Sequence, residues 1–456
     1  MKGAEFLNNR QETFAGAVAP FALPAAGPYV LKRARVLGRS LPEPVGPLDY
    51  DGFAIVDILV DEEVIAKIAP HGTVGFGDAP EVAMSGRIVL PLFVDVHTHL
   101  DKGHIWRRMR NRSGDFPSAV AATIEDRSAN WSAADVAARM EFSLRCAYGH
   151  GTTAIRTHID SVGPQTRISW PVLAEARERW RGRIDIQASP LFTIDHMADA
   201  SHVADLEAML DAHGSGILGA AIRMEPDLRD GLRIFFELAE RKGWELDFHV
   251  DESSDPAARS LKVIADIAIE RRFARPILVG HCCSLALQED DERQRTIDAV
   301  ARAGLSVVSL PMCNMFLQDR QTGRTPRWRG VTALHELKRA EVNVMIASDN
   351  TRDPFYPYGD LDMMEVWREG VRILHLDYPF ADWAEAVNSA PARAMGLDRG
   401  RLRPGGPADM ILTQAREFTE LLARPQSDRI VLRAGETSNA TPPSYAELDG
   451  LEGLST

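Results

Sequence analysis

Apolar residues in this chain fall into short runs separated by helical patterns, and the spacing of those runs predicts the fold. The first run, residues 88–96, is nearly continuous, as in a strand buried on both faces. Seven more lie at residues 152–158, 184–192, 216–222, 246–250, 276–281, 305–310 and 342–347. Apart from a long excursion over residues 101–150, successive runs begin about 30 residues apart, the length of one βαβ unit. Segments between them, such as residues 227–242 and 289–303, carry apolar positions at helical spacing with charged outer faces. Eight alternating units predict an α/β chain whose residues 85–396 form a (β/α)8 TIM barrel. A doubly wound open sheet is the alternative, but no glycine-rich phosphate turn comes after any run.

Shorter alternating segments flank this region. Residues 29–36, 52–60 and 64–68, broken by Gly and Pro, predict a small β unit over residues 28–84. After a helical stretch at residues 383–396, strand patterns return at residues 409–412 and 429–435. The segment 397–436 is therefore expected to rejoin the N-terminal β unit as a second small domain built from both ends. Residues 1–27, rich in Ala and Pro, read as an arm, and the polar segment 437–456, with its paired prolines, as a loose tail.

Composition narrows the class. With 456 residues, 45% of them apolar, the chain can bury a large core. A net charge of -13 argues against nucleic acid or an anionic membrane as partner, and no apolar run approaches a membrane span. Four cysteines, two of them adjacent (Cys282 and Cys283), do not make a disulfide framework. The first ten residues lack the apolar core of a signal peptide, so the expected location is cytoplasmic.

The chemistry lies at the C-terminal ends of the strands, where such barrels carry their sites. The first strand runs into His97-Thr-His99, and residues i and i+2 of a strand share a face, so two imidazoles stand side by side. The fifth ends at His249-Val-Asp-Glu252, the sixth at Gly280-His281 and the eighth at Ser348-Asp349-Asn350. Three imidazoles and a carboxylate, with a further His and Glu nearby, suit one divalent transition metal with room for water. Singly, each has a structural reading: His249 or His281 as a capped core histidine, Asp349 as a helix N-cap. Their recurrence at four strand ends favours a site.

These motifs resemble the amidohydrolase superfamily, and within it the mononuclear cytosine-deaminase-like branch. The resemblance spans residues 28–435 and rests on His97-Thr-His99-Leu-Asp101-Lys102, Arg156-Thr-His158-Ile-Asp160, His249-Val-Asp-Glu252, Gly280-His281, Phe316-Leu-Gln318 and Ser348-Asp349-Asn350 through Phe355. It implies that the terminal β unit is a composite β-sandwich. It also implies one divalent metal ion per chain, zinc or iron, held by His97, His99, His249 and Asp349. Asp349 would accept a proton from the activated water, His281 would orient that water, and Glu252 would donate a proton to a ring nitrogen. His158 and Asp160 would support the site from behind, or be satisfied core groups. No ligand lysine stands at the end of the fourth strand to bridge a second metal, although Glu225 lies nearby.

Departures from the cytosine-deaminase pattern bear on the substrate. Thr193 stands where a glutamine reads the pyrimidine edge, Asn350 replaces a second aspartate, and Phe355 replaces a tryptophan. Gln318 is a further candidate for reading substrate polarity, and His104 and Trp106 fall on a segment read as a lid. The implied activity is a deaminase releasing ammonia or an amine from cytosine or a related pyrimidine or triazine. The competing readings are a cyclic-amide hydrolase of the hydantoin- or dihydroorotate-cleaving kind and a catalytically inactive scaffold. The expected partner is a small heterocycle; homo-oligomerisation is left open.

Overall fold

The computed structural model describes residues 22–24 and 27–451. The arm expected over residues 1–27 lies almost wholly outside them. Strands β1 (Tyr29–Leu37), β2 (Phe53–Asp61), β3 (Val64–Pro70), β4 (Glu81–Ala83) and β5 (Ile88–Pro91) come first. They are succeeded by β6 (Phe93–Thr98), β7 (Thr152–Asp160), β8 (Asp185–Leu191) and β9 (Ile217–Ile222). Next come β10 (Glu245–Val250), β11 (Ile277–His281), β12 (Ser306–Ser309) and β13 (Asn343–Ile346). Last are β14 (Met410–Leu412), β15 (Ile430–Arg433) and β16 (Glu436–Thr437).

Strands β6 to β13 correspond to the eight apolar runs, and every ladder between them is parallel. They form two sheets, β6-β7-β8 and β13-β12-β11-β10-β9. Single parallel bridges, Thr98 with Asp349 and Thr193 with Ala221, link the sheets at both seams. Both faces of these strands are buried, which explains their continuous rather than alternating hydrophobicity.

The run at residues 88–96 differs from expectation: it is two strands parted at Leu92. Strand β5 pairs with β1 and β14, whereas β6 pairs with β7. Pro91 has no N–H to continue a ladder, and there the chain steps from one sheet into the other.

Strands β14 to β16 join a sheet with β1 to β5. One eight-stranded sheet runs β16-β15-β14-β5-β1-β2-β3, with β4 beside β1. Its far edge curls back: Ile65 of β3 exchanges hydrogen bonds with Gly406 (2.9 Å) and Gly405 (2.8 Å), just before β14. The sheet encloses its own core, including Leu31, Val56, Ile58, Ile65, Met410 and Leu432.

One buried charge holds this unit. In a bulge of β1, Arg33 takes a left-handed φ of 56° and aims its N–H at Asp57 Oδ1 (2.7 Å). The Gly72 N–H (3.1 Å), His71 Nδ1 (2.8 Å) and Lys32 Nζ (3.0 Å) complete the shell around the Asp57 carboxylate. Burial pushes this carboxyl's pKa up, but those partners outweigh it and hold it down to about 2. Because the folded value lies below the ordinary ~3.9, the stabilisation is complete above about pH 4 and is lost as pH falls towards 2. Asp57→Asn should therefore cost about 2 kcal/mol at pH 7. Urea denaturation of both proteins at pH 7 and pH 3 should show that difference shrinking in acid.

The C-terminal segment is docked rather than loose through residue 451. Leu448, in a short 3-10 turn (Tyr445–Leu451), packs on Phe142 and Cys146. The Tyr445 hydroxyl donates to Asp360, and Arg107 Nη1 reaches Asp449 (2.7 Å). A polar segment with a few well-spaced apolar side chains finds its slot through them. His104, expected on a lid, is buried here against Phe142.

Candidate active site

The ends of β6 and β13 are stitched together by main-chain and buried polar contacts. The Asp349 N–H donates to the His97 carbonyl (2.9 Å), and Thr98 Oγ1 donates to the Asp349 carbonyl (2.9 Å). Nearer the strand roots, buried Asp95 accepts from the Ser348 N–H (3.2 Å) and the Ser348 hydroxyl. Asp349 and His281 both sit in the left-handed region, at φ 61° and 69°. Such conformations are uncommon outside glycine and persist only where surroundings enforce them. Gly280 makes room for the cluster, since a Cβ there would stand 2.8 Å from His97 Cε1.

Within this frame the donors converge. His99 Nε2 lies 3.2 Å from Asp349 Oδ1, His97 Nε2 3.6 Å from the same oxygen, and His249 Nε2 3.3 Å from His99 Nε2. A tetrahedral ion with bonds of about 2.1 Å spaces its ligand atoms about 3.4 Å apart, so these separations fit one ion. Both His97 nitrogens and both Asp349 carboxylate oxygens are buried without a hydrogen-bond partner among the described residues. Buried polar atoms rarely stay unpaired, and here His97 Nε2 and Asp349 Oδ1 face each other. Burial and mutual repulsion hold His97, His99 and His249 well below the usual imidazole pKa, so their lone pairs are free. The residues fit a divalent metal.

Around the cluster stand groups with partners of their own, although His158 Nδ1 and His281 Nε2 are themselves buried without one among the described residues. His158 joins the imidazole group, but its Nε2 is paired with buried Asp247 (3.1 Å), which Arg156 also holds (3.2 Å). Asp160 binds Lys102 Nζ (2.7 Å) and Arg127 Nη1 (2.8 Å). His281 Nδ1 accepts from Asn314 Nδ2 (3.0 Å), which leaves the ring proton on Nε2. The same amide nitrogen donates to Glu252 Oε1 (3.1 Å). Burial, reinforced by the nearby Asp349, raises the Glu252 carboxyl well above its ordinary pKa.

A cavity of about 300 Å³ opens onto these groups. Of the sequence-predicted residues, His99, Asp160, Thr193, His249, Glu252, His281, Asp349, Asn350 and Phe355 line it. His97 and His158 are buried behind it. Gln318, a candidate for contact with substrate, does not line it: its amide donates to the Glu252 carbonyl (3.4 Å). Asn350 is held by Asp353 (2.6 Å), and Phe355 meets Phe116 edge to face at 5.6 Å. Glu225 is exposed and lies outside the cavity.

Sequence reasoning missed several wall residues. Lys102, three residues past His99, is one of them. Phe116 and Arg127 come from the long excursion, where helix Phe116–Asn130 starts at Asp115, whose side chain accepts from the Ser118 N–H (2.9 Å). Asn314, also missed, lies behind the wall and donates to Glu252 and His281; it is four residues before Gln318 on helix Pro311–Leu317 and its C-cap, so helical spacing could have put both on one face.

Parallel strands ending in a buried histidine–aspartate cluster beside a pocket make an α/β fold with a candidate metal site. The amidohydrolase family model matches residues 172–438. A pterin deaminase of Rhizobium rhizogenes (strain K84) is 49% identical over 94% of this chain and 98% of its own length. The chain therefore belongs to the amidohydrolase family. Similar solved structures include a 5-methylcytosine deaminase from Klebsiella pneumoniae, with TM-score 0.75 and 22% identity, covering 91% of this chain and 98% of that one. An N-isopropylammelide isopropylaminohydrolase from Burkholderia multivorans gives 0.72 and 24%, covering 91% and 100%. Among the described residues, no helix is long and apolar enough to cross a membrane.

Proposed function

We propose that this protein is a metal-dependent aminohydrolase that exchanges the exocyclic amino group of a nitrogen heterocycle for oxygen, a pterin being the favoured substrate. The observation that carries this reading is Glu252: a buried acid, its pKa raised well above the ordinary carboxylate value, on the wall of the cavity that His99, His249 and Asp349 also line. A plain amide has no ring nitrogen to protonate, whereas an amidine-like C(=N)–NH₂ unit does. The pterin deaminase relative supports a two-ring substrate, and the Phe116 and Phe355 walls suit a planar one. The expectation of cytosine is thereby displaced to second place.

In this reading His97, His99, His249 and Asp349 hold one divalent ion, zinc or iron(II). That ion supplies the Lewis acidity that makes water a nucleophile near neutral pH. Asp349 accepts one proton from the attacking water and returns it to the departing nitrogen, while the N–H on His281 Nε2 orients the water. Glu252 donates its proton to the ring nitrogen beside the amino-bearing carbon and recovers one from the new hydroxyl as the carbonyl forms. One C–O bond forms, one C–N bond breaks, and ammonia leaves. Asp160, Lys102 and Arg127 brace the opposite wall, with Thr193 and Asn350 facing the substrate edge.

On the same reading, β6 to β13 close into a (β/α)8 barrel over residues 85–396. The curled terminal sheet is then its composite β-sandwich, from residues 28–84 and 397–436. The testing experiment is ammonia release from the metal-loaded protein across pterin, cytosine, 5-methylcytosine and N-alkylated ammelides, with hydantoin as a ring-opening control. Pterin should be deaminated most efficiently. Ring opening of hydantoin alone would transfer the protein to the cyclic-amide hydrolases.

A further inference from the structure

Asn314 is wholly buried on the helix Pro311–Leu317, and one atom of its side chain meets both Glu252 and His281. Its Nδ2 lies 3.1 Å from Glu252 Oε1 and 3.0 Å from His281 Nδ1. A carboxamide nitrogen carries two hydrogens, so each partner can receive one. The end of this helix holds Glu252 a second time, because the Gln318 amide donates to the Glu252 carbonyl (3.4 Å). Gly330 is packed closely against the same turn. At φ 79°, a Cβ there would stand 2.7 Å from the Asn314 carbonyl oxygen and 2.5 Å from Gln318 Cβ.

These contacts bear on where protons sit. His281 Nδ1 accepts, so its ring proton is on Nε2. Glu252 Oε1 accepts as well, and the carbonyl oxygen of a carboxylic acid is its stronger acceptor, so the acid proton is favoured on Oε2. Glu252 Oε1 is also 3.5 Å from His281 Nδ1, beyond the reach of a direct O–H donor. The amide nitrogen between them satisfies both atoms and so removes the incentive for the acid to turn its proton on that ring nitrogen. Asn314 Oδ1 is buried without a partner among the described residues. Turned round, the amide would accept from both groups and reverse both proton positions, which makes its orientation measurable.

We propose that Asn314 is a positioning residue that sets two proton positions at once, on Nε2 of His281 and on Oε2 of Glu252, and keeps these two groups from bonding to each other. The inference rests on the roles proposed above for Glu252 and His281. Its first readout needs no substrate: nitrogen NMR of the zinc-loaded protein labelled at the histidine ring nitrogens, with the His281 signals assigned by their loss in His281→Gln. The wild type should show Nε2 protonated and Nδ1 bare. Asn314→Asp keeps the shape but presents only acceptors, so it should move the proton to Nδ1. Its kcat should fall about 10²-fold, with metal content and KM little changed. Asn314→Ala, which adds no charge, should leave the two His281 tautomers mixed and lower kcat at least about tenfold. A proton on Nδ1 in the wild type would overturn the assignment, and so would full turnover in Asn314→Ala. If the wild type releases ammonia from no heterocycle, the parent reading fails, and the ring-proton measurement still decides whether Asn314 sets the His281 tautomer.

Discussion

Replacing Glu252 with glutamine should lower kcat for ammonia release by about 10²–10⁴-fold while leaving the metal content unchanged. Glutamine keeps the size of the side chain and can still accept from Asn314 Nδ2, which now lies 3.1 Å from Glu252 Oε1. It can also donate a hydrogen bond to a ring nitrogen, so KM should change little. What it lacks is a transferable proton. Burial, with Asp349 adding repulsion, raises the glutamate's pKa well above its ordinary value, against the opposing hydrogen bond from Asn314. Steady-state kinetics with parallel elemental analysis separates the outcomes. Normal turnover would remove Glu252 from the chemistry, and loss of metal would recast it as a ligand.

The second large effect concerns the metal. Dialysis against a chelator should take turnover to background, and one equivalent of zinc or iron(II) per chain should restore it. His249→Ala should lose both metal and activity, because its Nε2 is one of the converging donors, 3.3 Å from that of His99. A single ion is expected because a second would need a bridging ligand at the end of β9. Glu225 there is exposed and outside the cavity. Lys102, a buried lysine on the cavity wall, is already bound to Asp160 at 2.7 Å. Elemental analysis giving two ions per chain would overturn this and revive the cyclic-amide reading.

How much of the molecule was legible in the sequence depended on range. Burial on both faces makes each parallel strand a visible apolar run, so strands β6 to β13 could be placed from local pattern. The cluster was legible for the same reason: once the strands are known, His97, His99, His249, His281 and Asp349 stand at or just past their C-terminal ends. The split at Leu92 was hidden because Ile88 and Val94 are equally apolar, although they belong to different sheets. Cavity walls were harder still. Nothing local says that Phe116 will meet Phe355, because residues 239 positions apart are joined only by the path of the excursion. Gln318 failed as a substrate contact for a related reason. It caps the helix that also carries Asn314, and both side chains turn to Glu252 instead of the open cavity.

The terminal sheet has a consequence for how the protein comes to exist in a cell. Strand β5 lies between β1 and β14, so a strand made early waits for a neighbour synthesised more than 300 residues later. At ribosomal speeds of about 5–20 residues per second, β5 keeps an unpaired edge for tens of seconds. Such an edge is a template for mispairing with other chains. Strand β5 also leads directly into β6, which carries His97 into the site. The strand that carries His97 is thus flanked at its root on both sides only when the last strands have emerged, and yield of folded protein at fast translation rates should depend on what shelters that edge meanwhile.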